Sequence, residues 1–504
     1  MYPLVFLAPI AALWVAVRRS PAQALVAVYL PLLLLIPESF RATIPGIPKM
    51  NFNQAAIVPI VLVALVHYGR NWRPSVTDCA VLALAAVVAL SEFLAAGYKE
   101  AQNLMFAMLA SMAGPYLAAR LLLDRQATEV AFARRFVFLV FVAALIGFYE
   151  FRFGVNPFLR WLGMLFPGQG QGWVTTFRHG FARVAGPYSH AILAGIMVII
   201  AYRLQRWLQW GRHWEPRFAW LPALPWSKAA VLTAALAVGS LMTIARGPLL
   251  GGLLGAALIF IGRSRHRRQL LPAAIIGFAV LAPIGYVGLM SYLDVQPGMA
   301  MTASQESALY RKVMIERYVD IALDHAALGW GRNTWPKLPG MASIDNYFLL
   351  LSLMHGVVAT GLLLFLFLWQ GARLFRRGMT EPHDANSLAL TFAGILVAVF
   401  VTLGTVYLGE QVMPALFLIL GWSEACLQRA RAPVAAGARA PVAAAAGASV
   451  AAAARGPVGA AARGPVGAAA RGPVGAAARR PVGAPTRAPD ASRAAPARRF
   501  RVIR

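Results

Sequence analysis

The sequence predicts an all-α polytopic membrane protein of about 13 transmembrane helices, within a range of 12 to 14. Three observations carry that prediction. Of the 504 residues, 59% are hydrophobic and only 13% are charged, against about 25% charged in a soluble globular protein. The apolar residues fall in runs near the roughly 20 needed to cross a bilayer. Lysine and arginine are sorted into alternate connecting loops, as cytoplasmic loops require.

The candidate spans lie at about 3–17, 21–37, 54–69, 76–97, 102–123, 132–150, 187–204, 228–245, 247–262, 270–291, 344–369, 386–408 and 411–427. The first three are short or broken by proline. Met1–Val17 is apolar from its second residue and has no basic leader, so it reads as the first span and not as a cleaved signal. Cys79 and Cys426 fall in distant apolar segments and suggest neither a metal site nor a disulfide.

One set of loops holds 20 basic residues, including Arg18, Arg19, Arg134, Arg135, Arg263, Arg267, Arg373 and Arg377. The short loops of the other set hold only Arg41, Lys49, Lys99 and Arg246. The first set is expected in the cytoplasm, the N-terminus outside and the C-terminus inside. Two long loops, about 151–186 and 292–343, then lie outside. The charge rule constrains long loops weakly, so their arginines need another explanation.

The chain divides into N-terminal helices (1–150), a core with both outer loops (151–428) and a tail (429–504). The tail repeats ARGPVGAA from Ala454, Ala462 and Ala470, and holds 14 Arg against the single acid Asp490. It is nearly free of large apolar side chains, so disorder is expected. Its +13 inflates the net charge of +28 and gives no reason to expect nucleic-acid binding. A basic cytoplasmic tail suits anionic lipid headgroups, or it is a partnerless linker.

The chemistry is expected at the outside starts of three inward-running helices. Arg183 precedes Gly186-Pro187, Arg246 precedes Gly247-Pro248, and Asp345-Asn346 open an almost uninterrupted apolar helix limited by Ile344 and Trp369. Proline suits a first turn, and free N–H groups there favour anions. Two arginines on one membrane face suit a phosphate or pyrophosphate clamp; the plain alternative is snorkelling to lipid headgroups. Asp345-Asn346 are either a functional pair at a membrane boundary or a helix cap. Glycines 247, 251 and 255 have the small-xxx-small spacing of close helix packing. In the second outer loop Tyr310, Met314, Tyr318, Ile321 and Leu328 lie near one helical face, as in an amphipathic surface helix. Arg311 leaves that stripe and either points towards the site or is a solvated surface charge.

No phosphate-binding glycine loop, Asp-x-Asp pair or zinc-like spacing occurs, so neither metal nor cofactor is expected. Asp78 and Glu92 in the fourth span are weak candidates for a proton relay. His67, His190 and His355 read as packing or interfacial hydrogen bonding.

At these residues the chain resembles the O-antigen ligase/polymerase superfamily of bacterial inner-membrane glycosyltransferases. The matching features are RVAGP at 183–187, TIARGPLL at 243–250, Arg311 followed by GWG at 329–331, and DNYFLL at 345–350 with Gly356 and Gly361 beyond. They cover about 180–370. The resemblance implies an undecaprenyl-pyrophosphate-linked glycan as donor, a periplasmic site, and other envelope polysaccharide assembly proteins as further partners. It implies that Arg183 and Arg246 stabilise the leaving pyrophosphate, that Asp345 takes or orients the acceptor proton, and that Arg311, Asn346 and Arg332 bind substrate. Ligases of the superfamily usually carry His-Asn at 345–346, and a proline is common where this chain has Ala326. Asp345-Asn346 is similar to some polysaccharide polymerases, so O-antigen or exopolysaccharide polymerisation is expected ahead of ligation to a lipopolysaccharide core. A flippase would instead carry charges in mid-span, and a non-catalytic scaffold would tolerate loss of every named polar residue.

Overall fold

The computed structural model describes residues 2–429 apart from 45, 125, 171–173, 179, 220–224, 294–300 and 342. The tail expected to be disordered lies outside the described residues. Each of the thirteen apolar segments contains a helix. In chain order the helices are α1 (Leu4–Arg18), α2 (Pro21–Leu35), α3 (Phe52–Tyr68), α4 (Val76–Ala96), α5 (Tyr98–Leu122), α6 (Gln126–Phe153), the short outer-loop α7 (Pro157–Leu165), α8 (Ala191–Trp210), α9 (Lys228–Met242), α10 (Arg246–Arg263), α11 (Arg267–Leu293), the amphipathic α12 (Ala303–Asp324), α13 (Tyr347–Thr380), α14 (Leu388–Leu403) and α15 (Val412–Arg429). Among the described residues seven of them, α4, α5, α6, α8, α10, α11 and α13, are long and apolar enough to cross a membrane. Helix α11 turns its whole apolar window outward, with none of it buried. An exposed apolar surface of this size marks a contact with membrane or with another protein.

In lipid, helices associate through close packing of small residues more than through apolar burial. The glycine spacing in α10 serves this role. A side chain at Gly251 or Gly255 would collide with the carbonyls of Ala398 or Gly394 on α14. Trp422 of α15 fills the centre, edge-on to Phe132, Trp207 and Phe392. Its indole N–H donates to Glu129.

Contacts join loops of one charge class to each other. At the arginine-rich end Arg429 meets Glu129 at 2.7 Å, Arg134 meets Glu215 at 3.5 Å, and Arg267 donates to the Glu381 carbonyl. At the opposite end Arg41 meets Glu410 at 3.3 Å, and Val184 N–H donates to the Met242 carbonyl. Two short antiparallel pairs lie there too: β1 (Arg41–Ala42) with β2 (Met50–Asn51), and β3 (Phe177–Arg178) with β4 (Phe181–Ala182).

Two expectations are corrected. Helix α13 is not continuous, because Gly356 breaks it at φ 79° and ψ 175°. The Gly-Trp-Gly loop enters the break: Trp330 and Gly331 N–H donate to the carbonyls of Leu353 and Met354, and Val357 N–H donates to the Ala326 carbonyl. A side chain at Gly356 would meet the Ala327 carbonyl, so both its φ and its contact demand glycine. Ser91 of α4 donates to the Leu328 carbonyl and contacts His355 at 3.0 Å, which fixes the joint. Asp78 and Glu92 form no relay. They sit at opposite ends of α4, about 21 Å apart along the axis at 1.5 Å per residue. Asp78 closes a capping box with Ser75 and pairs with Arg120; Glu92 accepts from Arg332 N–H at 2.8 Å.

Candidate functional site

The cap of α13 is Asn346 alone. Its Oδ1 accepts from the N–H groups of Phe348 and Leu349 at 3.0 and 3.2 Å. Asp345 therefore stands one residue outside the helix, with its carboxylate released from capping. Ser343 Oγ donates to Asp345 Oδ1 at 3.0 Å, and Arg311 lies 3.9 Å from Oδ2. Tyr310 pins this strand by donating its hydroxyl to the Ser343 carbonyl at 2.6 Å.

Arg311 reaches Asp345 because of the stripe on α12. Met314, Tyr318 and Ala322 are buried against Ile344, Leu349 and Leu353, which docks α12 along the first half of α13. Leu328, expected on that stripe, lies in the loop beyond the helix end.

Arg183 does not sit at a helix start. Helix α8 begins at Ala191 with His190 as its cap, and residues 183–185 form an irregular strap that turns at Gly186, φ 59°. Arg183 N–H donates to the Thr176 carbonyl. The N–H groups of Ala185 and Gly186 both donate to Glu150 Oε2, at 3.2 and 2.8 Å, and Asn156 donates to the Gly186 carbonyl. Pro187 thus lies in a loop turn, closed by Tyr188 N–H donating to the Ala185 carbonyl, and not in the first turn of a helix.

Arg246 is the first residue of α10, after a cap residue, Ala245, that makes no side-chain capping bond. The corner before it passes through Ile244 at φ 46°, a strained position for a β-branched residue. Arg178 of β3 donates to the Ile244 carbonyl at 3.2 Å. The sequence reading missed Arg178, which belongs to no motif.

These residues form one electrostatic unit. Arg178 is held below the usual arginine range by burial and by the charges of Arg246 and Arg311. Arg183 is brought down to about 10, first by burial, then by Arg178 and Arg311, with Asp345 opposing. Burial and Arg183 push His190 down to about 4, so it is neutral at pH 7 and its Nδ1 accepts from Ile192 N–H. The Nε atoms of Arg183 and Arg311 are buried without a hydrogen-bond partner. Four guanidinium groups and one carboxylate therefore share the site.

Arg332 stands in a second group, beside Glu410 at 4.0 Å, where Arg41 also reaches Glu410. Glu38 belongs with them. Burial and then the Glu410 charge raise its carboxyl to about 7, against the lowering effects of Ser189 and Arg41. Tyr407 joins the groups. Its hydroxyl lies 3.3 Å from Ser189 Oγ, and burial, with the charges of Glu38, Asp345 and Glu410, holds its pKa up. Tyr407, Glu410, Arg332 and His355 line a cavity of about 140 Å³. Glu38, Tyr407 and Glu410 escaped the sequence reading because their positions are scattered along the chain.

Neither a protein-family model nor a curated protein matches the chain. Among the described residues no group of three or more histidine, cysteine or acidic side chains is placed to hold a metal ion.

Proposed function

We propose that the protein is a membrane glycosyltransferase that polymerises undecaprenyl-pyrophosphate-linked oligosaccharide repeats at the periplasmic face of a bacterial inner membrane. In this reading all thirteen apolar helices cross the membrane and the arginine-rich loops and the tail are cytoplasmic. The observation that supports the chemistry is the convergence of Arg178, Arg183, Arg246 and Arg311 into one electrostatic group, with Asp345 3.9 Å from Arg311 and acting on Arg183. Like charges brought together repel, which a dianionic ligand would relieve. Arginine forks match phosphate oxygens.

The acceptor sugar hydroxyl attacks C1 of the donor. A C1–O bond to the acceptor forms, the C1–O bond to phosphate breaks, and the electron pair leaves on lipid pyrophosphate. The arginines stabilise that developing charge. Asp345 accepts the hydroxyl proton, since an ionised carboxylate is a modest base at neutral pH. Its freedom from helix capping supports that role over a structural one. Arg332 and Asn346, which the resemblance linked to substrate, are placed differently. Asn346 fixes the helix start that aims Asp345, and Arg332 borders the adjoining cavity.

Two measurements test this. A strain lacking the protein accumulates single lipid-linked repeats and loses long polymer; accumulation of long polymer still on undecaprenyl pyrophosphate would mean ligase. Purified protein lengthens a synthetic lipid-linked repeat without a second acceptor, and Asp345→Asn abolishes lengthening at unchanged abundance. Full activity of that variant would remove the carboxylate from the mechanism.

A further inference from the structure

The outer loop that carries Arg178 and Arg183 has a second, apolar surface. Helix α7 contains one charged residue, Arg160, in nine. Its inner side is engaged: Phe158 is buried, and Leu159 and Leu162 pack on a cluster containing Phe40 and Phe166. Its outer side is not: Trp161 is 56% exposed and Met164 69%. The β3–β4 pair does the same with period two. Phe177 and Phe181 are 63% and 54% exposed, while the neighbouring residue 178 bonds to the α9–α10 corner and residue 182 is buried.

In water such a surface would be costly, at about 25 cal/mol per Å² of apolar area. Its position says what covers it. Phe181 stacks on Phe151 in the last turn of α6, with ring centroids 5.3 Å apart. Helix α6 is long and apolar enough to cross a membrane, and its last turns turn Phe148 and Phe153 outward. The exposed aromatics of α7 and the hairpin thus continue the outward apolar face of a candidate span. Exposed Arg152 and Arg160 lie within the same stretch, as cations do where headgroup phosphates are near.

We propose that α7 and the β3–β4 pair lie in the headgroup–acyl boundary of the bilayer, as a lip over the arginine site. Bulky aromatics belong at that depth, and an interfacial helix sinks its apolar side about 5–10 Å into it. Alternate residues of the hairpin then face lipid and the site, so the anion bound by Arg178 and Arg183 arrives along the plane of the leaflet, from a lipid and not from bulk water. That last step rests on the transferase reading; the seating in lipid does not.

The test reads depth without turnover. In full-length protein carrying Cys79→Ser and Cys426→Ser, single cysteines replace Met164, Phe177 or, as an aqueous control, Glu316, which is 59% exposed on α12. Each is labelled with an environment-sensitive fluorophore and reconstituted into phosphatidylcholine vesicles holding acyl-chain spin-label quenchers. The labels at 164 and 177 should be quenched by lipid at least about threefold more than the label at 316, and should resist iodide, as expected at interfacial depth. A single well-behaved label at either position is enough. Quenching by iodide at both positions, with no lipid quenching above the control, would overturn the proposal and leave the surface open to a glycan or a protein. Failure of the lengthening assay would leave the quenching result standing.

Discussion

The two ends of the helix bundle hold their charges in opposite ways. At the arginine-rich end Arg373 places Nη1 2.6 Å and Nη2 3.2 Å from the two oxygens of the fully buried Glu424, and Nη1 also donates to Thr77 and Gln370. Arg120 pairs with Asp78, and Arg429 with Glu129. A cavity of about 660 Å³ opens at this end beside Trp72, Arg73 and Arg120, yet Arg120 is engaged by a carboxylate. At the other end Arg178, Arg183, Arg246 and Arg311 form one electrostatic group, and the ion pairs Arg41 to Glu410 at 3.3 Å, Arg311 to Asp345 at 3.9 Å and Arg332 to Glu410 at 4.0 Å are single contacts. Buried charges are normally paired. One end follows that rule with buried pairs; the other gathers more open arginines around looser pairs, which suits the proposed anion.

Breaking the paired end should cost most. Glu424→Leu strands the Arg373 guanidinium, and removing one partner of a buried pair costs about 3–5 kcal/mol; the expected outcome is a large fall in melting temperature and in membrane abundance. An unaltered melt would show that the pair is not holding α13 to α15. At the other end Arg246→Lys keeps the charge and loses the fork. A rate loss of about 10²–10³ is expected, as when one charge-stabilising donor is removed, with the melt unchanged. Equal activity would mean that no bidentate contact is made there.

A smaller effect concerns pH. Glu38 has its carboxyl raised from 4.5 to about 7, so the folded protein holds a proton that the unfolded chain releases. Stability then falls as pH rises through that window and is flat above it. Glu38→Gln should flatten the melting profile between those pH values and raise stability at pH 8. A profile unchanged by the substitution would show that the carboxyl does not titrate there. Smallest is the tail. Deleting 435–504 should change neither melt nor lengthening, since a chain so poor in large apolar side chains contributes no core. Loss of activity in an inserted truncation would reveal a role for it.

What the sequence disclosed follows from the range of the interactions involved. Helices were legible because apolar length is a local property, and every apolar run contains one. Arg246 and Asp345 stood out because a charge beside a long apolar run is anomalous by itself. Arg178 did not, because its place is set by the Ile244 carbonyl, 66 positions away. Glu38 and Glu410 meet only after the chain has returned to its start. The break in α13 left one trace, the glycine at 356. A glycine in an apolar run reads as packing, and only the Gly-Trp-Gly loop docked against it gives it meaning.

That break also fixes what the proposed membrane must tolerate. Residues 357–372, between the break and Arg373, run about 24 Å at 1.5 Å per residue, short of the roughly 30 Å hydrocarbon core. In the proposed reading the nine residues before Gly356 complete the crossing, and the break falls inside the slab. Irregular backbone is tolerated at that depth only where protein satisfies its polar groups. The N–H groups of Trp330 and Gly331, which donate to the carbonyls of Leu353 and Met354, and the Val357 N–H, which donates to the Ala326 carbonyl, do this at the joint. The loop is then a plug that lets a helix bend where lipid alone would forbid it.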